Sequence, residues 1–432
     1  MILIIFFSLV FLMATGMPAA FCFQLIILIG GPLIWGYEAG MMQVILGIAN
    51  SVVTFTILPL PLFILMGEVM FQSKIAPRMV DTLNNWLGRL PGRLSLLAIG
   101  AGTIFSTLTG ASMASVAMLG GTLVPEMEER GYKKPMSIGP ILGSGGLAIM
   151  IPPSGLAVLL GAIGEISIGN LLVAIIVPGL MMAALYAGYI ILRCKLQPSL
   201  APSYEVHPGS LSQKLVSTAR YILPLGFIIF LVVGVIFVGI ATPTEAAATG
   251  AMGCFILTAF YGRLNWELIR KTLRETLKVT TMMFMILTGA KVFSQILAFG
   301  GAVAGLAEFA MTLNLPPILI IVAMQIVLLI LGMFLDIVAI MMITLPIFMP
   351  VVLALGFDPL WFGVIYLLNM EMATTTPPFG LSLFVMKGVA PLDTTMGDIY
   401  RAAIPFLTCD VIAMLLIMFF PSITLSLPRL MN

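Results

Sequence analysis

The chain has 432 residues, 60% of them hydrophobic and 9% charged, with a mean hydropathy of +1.16, far from the roughly 45–50% apolar and 25% charged mix of soluble domains. Its 20 Lys+Arg against 18 Asp+Glu leave a net charge of +2 and no basic patch. A soluble enzyme, a disordered chain and a nucleic-acid binder are excluded, and the expected solvent is the lipid bilayer.

In chain order, apolar runs at 1–35, 160–192, 221–262 and 400–421 exceed the ~20 residues that a spanning helix needs. They are continuous rather than alternating, which excludes a membrane β-barrel and predicts an all-α polytopic membrane protein. No basic segment precedes the first run, which continues past Gly16 and Pro18, so it is read as a helix and not as a signal peptide. Cys22, Cys194, Cys254 and Cys409 stand singly in apolar sequence without metal-ligand spacing and read as small core residues.

The chain repeats itself at a shift of 225 residues. Pro18/Pro243, Pro91/Pro316, Pro125/Pro350, Pro152/Pro377 and Pro153/Pro378 pair at that distance, as do Gly131/Gly356, Gly155/Gly380 and Leu156/Leu381. Chance predicts roughly one proline pair at such a shift. The units are residues 1–200 and 221–432, joined by a polar linker, 201–220, that holds the only histidine, His207.

Lys and Arg in short loops mark the cytoplasmic face. With 18 of the 20 basic residues placed there, the segment between Arg93 and Arg130 must begin and end on one side. It is too short for two spans and a turn, so a re-entrant hairpin over about 94–128 is expected, its tip at TGAS, 109–112. Its counterpart, about 316–355 with its tip at 332–336, enters from the opposite face. Spans are expected near 1–16, 18–36, 52–72, 135–165, 170–195, 221–241, 245–262, 279–298, 360–387 and 400–420, with both termini outside. Residues 264–278 read as an interfacial amphipathic helix or a solvated loop helix. Two units of opposite orientation are the inverted-topology repeat of secondary transporters.

The spans over about 135–165 and 360–387 are interrupted at the same relative place, by IPPSG (151–155) and TTTPPFG (374–380). Proline removes a backbone donor, so each break frees polar groups at a depth where they must be buried or line a polar cavity. A proline kink or a packing notch explains one such break; two breaks facing two hairpin tips point to a binding site. At the first pair lie Ser106, Thr109, Gly110 and Ser112, opposite Gly143, Ser144, Gly145, Gly146, Pro152 and Ser154. At the second lie Gly332 and Asp336, opposite Thr374, Thr375, Thr376 and Gly380. Hydroxyls, carbonyls and one carboxylate are hard donors that suit an alkali cation such as Na⁺ rather than zinc or copper. Ser112, Ser154, Lys291, Thr376 and Ser382 are candidate contacts for an anionic solute.

Other ionisable groups in the spans are Glu68, Glu245, Lys291, Glu371 and Asp410. Glu245 follows Pro243 and is expected to cap a helix. Lys291 is expected to pair with an acid or meet the solute, and Glu371 and Asp410 to lie near span ends, partly hydrated.

The runs PLFILMGEVM (61–70), TGASMASVAMLGGTLVPEMEERGY (109–132), IPPSG (151–155), ATPTEAAATGA (241–251), GMFLDIVAIMMITLPIFMPV (332–351) and TTTPPFGLSLFV (374–385) resemble the large membrane subunit of the tripartite ATP-independent periplasmic (TRAP) transporters. The resemblance implies an elevator-type, Na⁺-driven uptake system of the ion-transporter superfamily in the inner membrane, on whose periplasmic side the basic-residue rule then places both termini. It also implies two partners, a small four-helix membrane subunit and a periplasmic solute-binding protein, and an organic acid as solute. By motif, Asp336 and the TTTPP turn resemble one Na⁺ site, and the TGAS tip with the PPSG turn the other. Members often carry Asn where Ser382 stands. The rival expectations are a carrier of the same superfamily that needs no binding protein, an ion channel, and an aspartyl protease built on Asp336 and Asp410.

Overall fold

The computed structural model of the chain is built of helices and turns, with no strand among the described residues. It describes residues 2–88, 90–109, 112–202, 210–302, 305, 308, 312 and 315–431. Gly110 of the first expected tip lies outside the described residues, as do Ala111, Arg89, His207 and the side chains of Ser106 and Thr109.

Helices α1 (Ile2–Ala14), α2 (Ala19–Trp35), α3 (Tyr37–Val53) and α4 (Pro59–Gln72) lead to the amphipathic α5 (Ala76–Trp86). Helices α6 (Arg93–Thr109) and α7 (Ser112–Glu129) form the first hairpin. They are followed by α8 (Lys134–Ser137), α9 (Gly139–Met150), α10 (Gly155–Ile163), α11 (Ile168–Ala174) and α12 (Ile176–Leu196). The second half holds α13 (Leu211–Tyr221), α14 (Leu223–Phe237), α15 (Pro243–Phe260) and α16 (Trp266–Phe299). The second hairpin is α17 (Pro317–Gly332) and α18 (Ile337–Ala354), followed by α19 (Pro359–Thr375), α20 (Leu381–Val389), α21 (Met396–Phe419) and α22 (Ser422–Leu425).

Element bounds recur at the shift found in the sequence. Adding 225 to the limits of α7 gives those of α18, and adding it to Lys134 and Met150, which bound α8–α9, gives the limits of α19. By length and composition, four described helices can each cross a membrane, or six if each bent pair is one span. Other apolar helices, α2, α4 and α17 among them, are shorter because Pro and Gly punctuate the chain.

Three features depart from the sequence expectations. The amphipathic segment 264–278 and the span 279–298 are one helix, α16, of 34 residues. Nothing between Lys278 and Val279 breaks it: neither Pro nor Gly occurs from Trp266 to Thr288. At about 1.5 Å per residue it is about 51 Å long, some 20 Å more than a ~30 Å hydrocarbon core, so its charged first third extends past the apolar layer. The second departure is α3, which sequence apolarity did not single out; at the 225 shift it corresponds to that charged first third. The third is the linker, whose described part is helical: α13 starts with a Ser210–Gln213 capping box and meets α14 at a 41° bend.

The helices pack as two groups. In one, α2, α3, α4, α14, α15 and α16 contact one another, α2 and α3 so closely that a Cβ on Gly40 would lie 2.5 Å from the Gly31 carbonyl oxygen. In the other, the hairpins surround α9 and α19, with α12, α20 and α21 outside them. Every residue of α9 is buried, as is α19 from Trp361 onward, the burial expected of helices apolar on all sides. Small residues allow that depth: a Cβ on Gly139 or Gly143 would meet the Phe406 ring at 2.5 and 2.8 Å. At one end of this group Lys134 bridges to Asp393 at 2.8 Å, and its hydrogen bond holds the Asp393 carboxyl below the usual carboxylate range.

Candidate transport site

Both breaks have the same construction. Helices α8–α9 and α10 are bent by 45° across Ile151, Pro152, Pro153 and Ser154, and α19 and α20 are separated by residues 376–380. The Pro152–Pro153 and Pro377–Pro378 bonds are both cis. After the first break Ser154, 1% exposed, caps α10 by accepting the Ala157 N–H at 3.3 Å. After the second, the chain folds back so tightly that a Cβ on Gly380 would lie 2.5 Å from the Thr374 carbonyl oxygen.

Hairpin one seats on break one. Gly145 faces Val116 and the Ser112 carbonyl oxygen, where a Cβ would lie 2.3 and 3.4 Å away, and a Cβ on Gly102 would strike the Ser144 Oγ at 2.3 Å. The Ser112 side chain is buried and its Oγ has no hydrogen-bond partner among the described residues. A buried unpaired hydroxyl costs free energy unless an ordered water or a ligand completes it.

Hairpin two seats on break two. A Cβ on Gly332 would lie 2.3 Å from the Ala373 Cβ, and the Phe334 and Phe379 rings meet at 5.6 Å. Asp336 shares with Gly332, Phe379, Leu381 and Phe384 an open recess of about 420 Å³. Its carboxylate caps α18 by accepting the Val338 N–H at 3.0 Å. The threonines face their own helix: Thr374 donates to the Glu371 carbonyl at 2.9 Å, and Thr375 and Thr376 to the Met372 carbonyl at 3.2 and 2.6 Å. Their donors are used, while their oxygen lone pairs stay available to a cation. Asp336 thus stands at the tip and the threonines at the break that meet through Gly332–Ala373 and Phe334–Phe379, and no hydrogen bond among the described residues joins the carboxylate to the threonines.

The two halves meet across the site. Ser382, fully buried and also without a partner for its Oγ, stands in the first turn of α20, and α20 packs on α7. A Cβ on Gly120 would meet Val389 at 2.8 Å and Met386 at 3.3 Å, one to two turns into α20 and about two turns into α7. Two helix N-termini, that of α7 at the first hairpin tip and that of α20 at the second break, therefore carry one serine hydroxyl each without a partner among the described residues. Free N–H groups and the positive dipole end make such termini receptive to a carboxylate.

Lys291 lies elsewhere. It lines a recess of about 100 Å³ between the two packing groups with Glu165, Leu287 and Met342, and no ion pair within 4.0 Å joins it to an acid among the described residues. The expected pairing is not made. Glu371 and Asp410 are corrected too: they are 1% and 2% exposed, not partly hydrated. Asp410 accepts from the Tyr186 hydroxyl, and Glu371 presses on α9 where a Cβ at Gly146 would fall 1.6 Å from its Oε1. The signal was present for Asp410, which stands mid-way along its expected span. Glu245 forms a capping box with Thr242.

Residues 6–423 match the family described as Tripartite ATP-independent periplasmic transporter, DctM component. The chain belongs to this family. It is 33% identical over 378 residues to the C4-dicarboxylate TRAP transporter large permease protein DctM of Pseudomonas aeruginosa, covering 87% of this chain and 86% of that one. It is 30% identical to the protein of the same description from Rhodobacter capsulatus, over 100% and 99% of the two chains, and 29% identical to the sialic acid TRAP transporter large permease protein SiaM of Vibrio cholerae, over 97% and 96%. Its fold is similar to that of the Alcanivorax borkumensis YdaH transporter, with a TM-score of 0.65 at 14% identity over 90% and 89% of the chains. The protein is thus a TRAP transporter large permease, a membrane transporter and not an enzyme.

Proposed function

We propose that this permease drives Na⁺-coupled uptake of a small organic acid across the inner membrane, with a small four-helix membrane subunit and a periplasmic solute-binding protein as partners. The observation that carries the proposal is the pair of tip–break contacts, each with a serine hydroxyl that is buried and unpartnered, Ser112 on α7 and Ser382 on α20. On this reading the solute carboxylate sits between the two helix N-termini. One Na⁺ takes oxygens from the Ser112 tip and the Ser154 break, and another from Asp336 and the Thr374–Thr376 run. The two packing groups supply the parts of an elevator: α2–α4 with α14–α16 stay fixed, and the hairpins and broken helices, oppositely oriented in the bilayer, move as a body.

Uptake of a labelled C4-dicarboxylate or keto acid into proteoliposomes holding this chain, its small-subunit partner and the binding protein tests the proposal. An inward Na⁺ gradient without ATP is expected to drive accumulation. Full uptake in Na⁺-free buffer under a proton gradient overturns the coupling, and full uptake without the binding protein points to a self-sufficient carrier.

A further inference from the structure

Away from the transport site, the end of α4 and the start of α16 enclose a recess of about 240 Å³. Three of its lining side chains are cations, Lys74, Arg263 and Lys271, and one is an acid, Glu267, a local charge of +2. None of the four makes an ion pair within 4.0 Å among the described residues. Lys74 holds φ at +52°, a left-handed conformation unfavourable for lysine that places it beside α16.

The surroundings say what kind of anion belongs here. Phe260, just before the recess, is 83% exposed, and Trp266, the first residue of α16 and next to Glu267, is 77% exposed. A tryptophan so exposed beside a cation cluster suits the headgroup layer, where tryptophan is enriched, and an exposed phenylalanine suits the hydrocarbon that adjoins it. At about 51 Å against a ~30 Å hydrocarbon core, α16 has its N-terminal turns outside the apolar layer. A basic recess between helix ends at headgroup depth is complementary to a lipid phosphate whose acyl chains run along the apolar surface below.

We infer that the Lys74–Arg263–Lys271 recess is a binding site for the phosphate headgroup of an anionic phospholipid. It fixes the height of α4 and α16 in the bilayer at a point distinct from the solute and Na⁺ sites.

The test uses the full chain in nanodiscs or mixed micelles, reading tryptophan fluorescence as lipid with brominated acyl chains is added. A Trp266→Phe variant identifies the Trp266 share of the signal from the four tryptophans. Brominated phosphatidylglycerol is expected to quench Trp266 at about tenfold lower mole fraction than brominated phosphatidylcholine, since the recess carries a net charge of +2. Lys74→Ala/Arg263→Ala/Lys271→Ala removes the preference; Glu267→Gln, which leaves every cation in place, strengthens it two- to threefold and keeps the proposal testable if the triple variant does not fold. Equal quenching by the two lipids, or a preference surviving in a folded triple variant, overturns the site. Full competition by millimolar inorganic phosphate overturns the lipid as its occupant and leaves a soluble-anion site instead.

Discussion

Ser112 and Ser382 present the same physical oddity: each hydroxyl is buried and has no partner among the described residues. A residue kept for stability behaves differently from one kept for a ligand. Removing a buried, unsatisfied hydroxyl relieves a desolvation cost, so Ser382→Ala is expected to leave thermal stability unchanged or slightly raised while raising the KM for solute uptake several-fold. A fall in stability with unchanged KM makes Ser382 a packing residue. Asp336 allows a similar separation. Asn serves as an N-cap as well as Asp does, so Asp336→Asn retains the cap on α18 and removes the charge that balances a cation. Folding is expected to be preserved to within about 1 kcal/mol and the Na⁺ dependence of uptake lost; an unchanged Na⁺ response reduces Asp336 to a cap. The oxygen donors were legible in the sequence because Ser154 and Thr374–Thr376 adjoin the two Pro–Pro breaks and Asp336 is a carboxylate at an expected hairpin tip. Their hydrogen-bonding state was not, since it depends on which helix carbonyl lies within reach, as for Thr374 and Thr376. Lys291 shows the reverse: its charge was evident, but its recess with Glu165 is formed by elements far apart in the chain.

At the scale of elements, proline and glycine decided what could be read. The hairpins and breaks are punctuated by them, and the 225-residue shift aligns α7 with α18 and α8–α9 with α19. Where punctuation is lacking, the expectation failed: α16 was divided at its change of polarity although its backbone is continuous, and α3 was passed over because Glu38, Gln43, Asn50 and its glycines dilute its apolarity. Continuity can be checked. Lys278 is exposed and pairs only with Glu275 at 3.8 Å, so Lys278→Ala is expected to be neutral. Lys278→Pro, which breaks the helix interior, is expected to cost about 3 kcal/mol or more, seen as a large drop in the thermal unfolding midpoint. Equal behaviour of the two variants indicates separate helices meeting at 278. The paired glycines of the breaks are a second check, because the repeat is not symmetric in space. Gly155 has only Leu60 Cδ1 near, 3.9 Å from an added Cβ, whereas Gly380 faces backbone at 2.5 Å that cannot yield. Gly155→Ala should retain uptake and stability; Gly380→Ala should lose both, and equal tolerance contradicts the tight return at residues 376–380.

For the whole molecule, the decisive question is whether the two packing groups slide against each other. The recess that holds Lys291 on α16 and Glu165 in the turn after α10 lies at their boundary, so a covalent bridge there ties one packing group to the other. The four native cysteines are free and buried, which leaves introduced thiols as the accessible targets. In a Lys291→Cys/Glu165→Cys variant, a short bifunctional thiol reagent with a cleavable linker is expected to stop uptake, and reduction of the linker to restore it. The control bridges Lys134→Cys to Asp393→Cys, whose native side chains already meet at 2.8 Å within the group of hairpins and broken helices. An elevator carries both ends of that second bridge together, so uptake should continue. The contrast carries the inference, because loss of Lys291 or Glu165 as charges occurs before the reagent is added and is measured separately. Uptake that persists with the Lys291→Cys/Glu165→Cys bridge fully formed means that the groups do not slide at this boundary, and solute access must then alternate through local movement of the hairpin tips at Ser112 and Asp336.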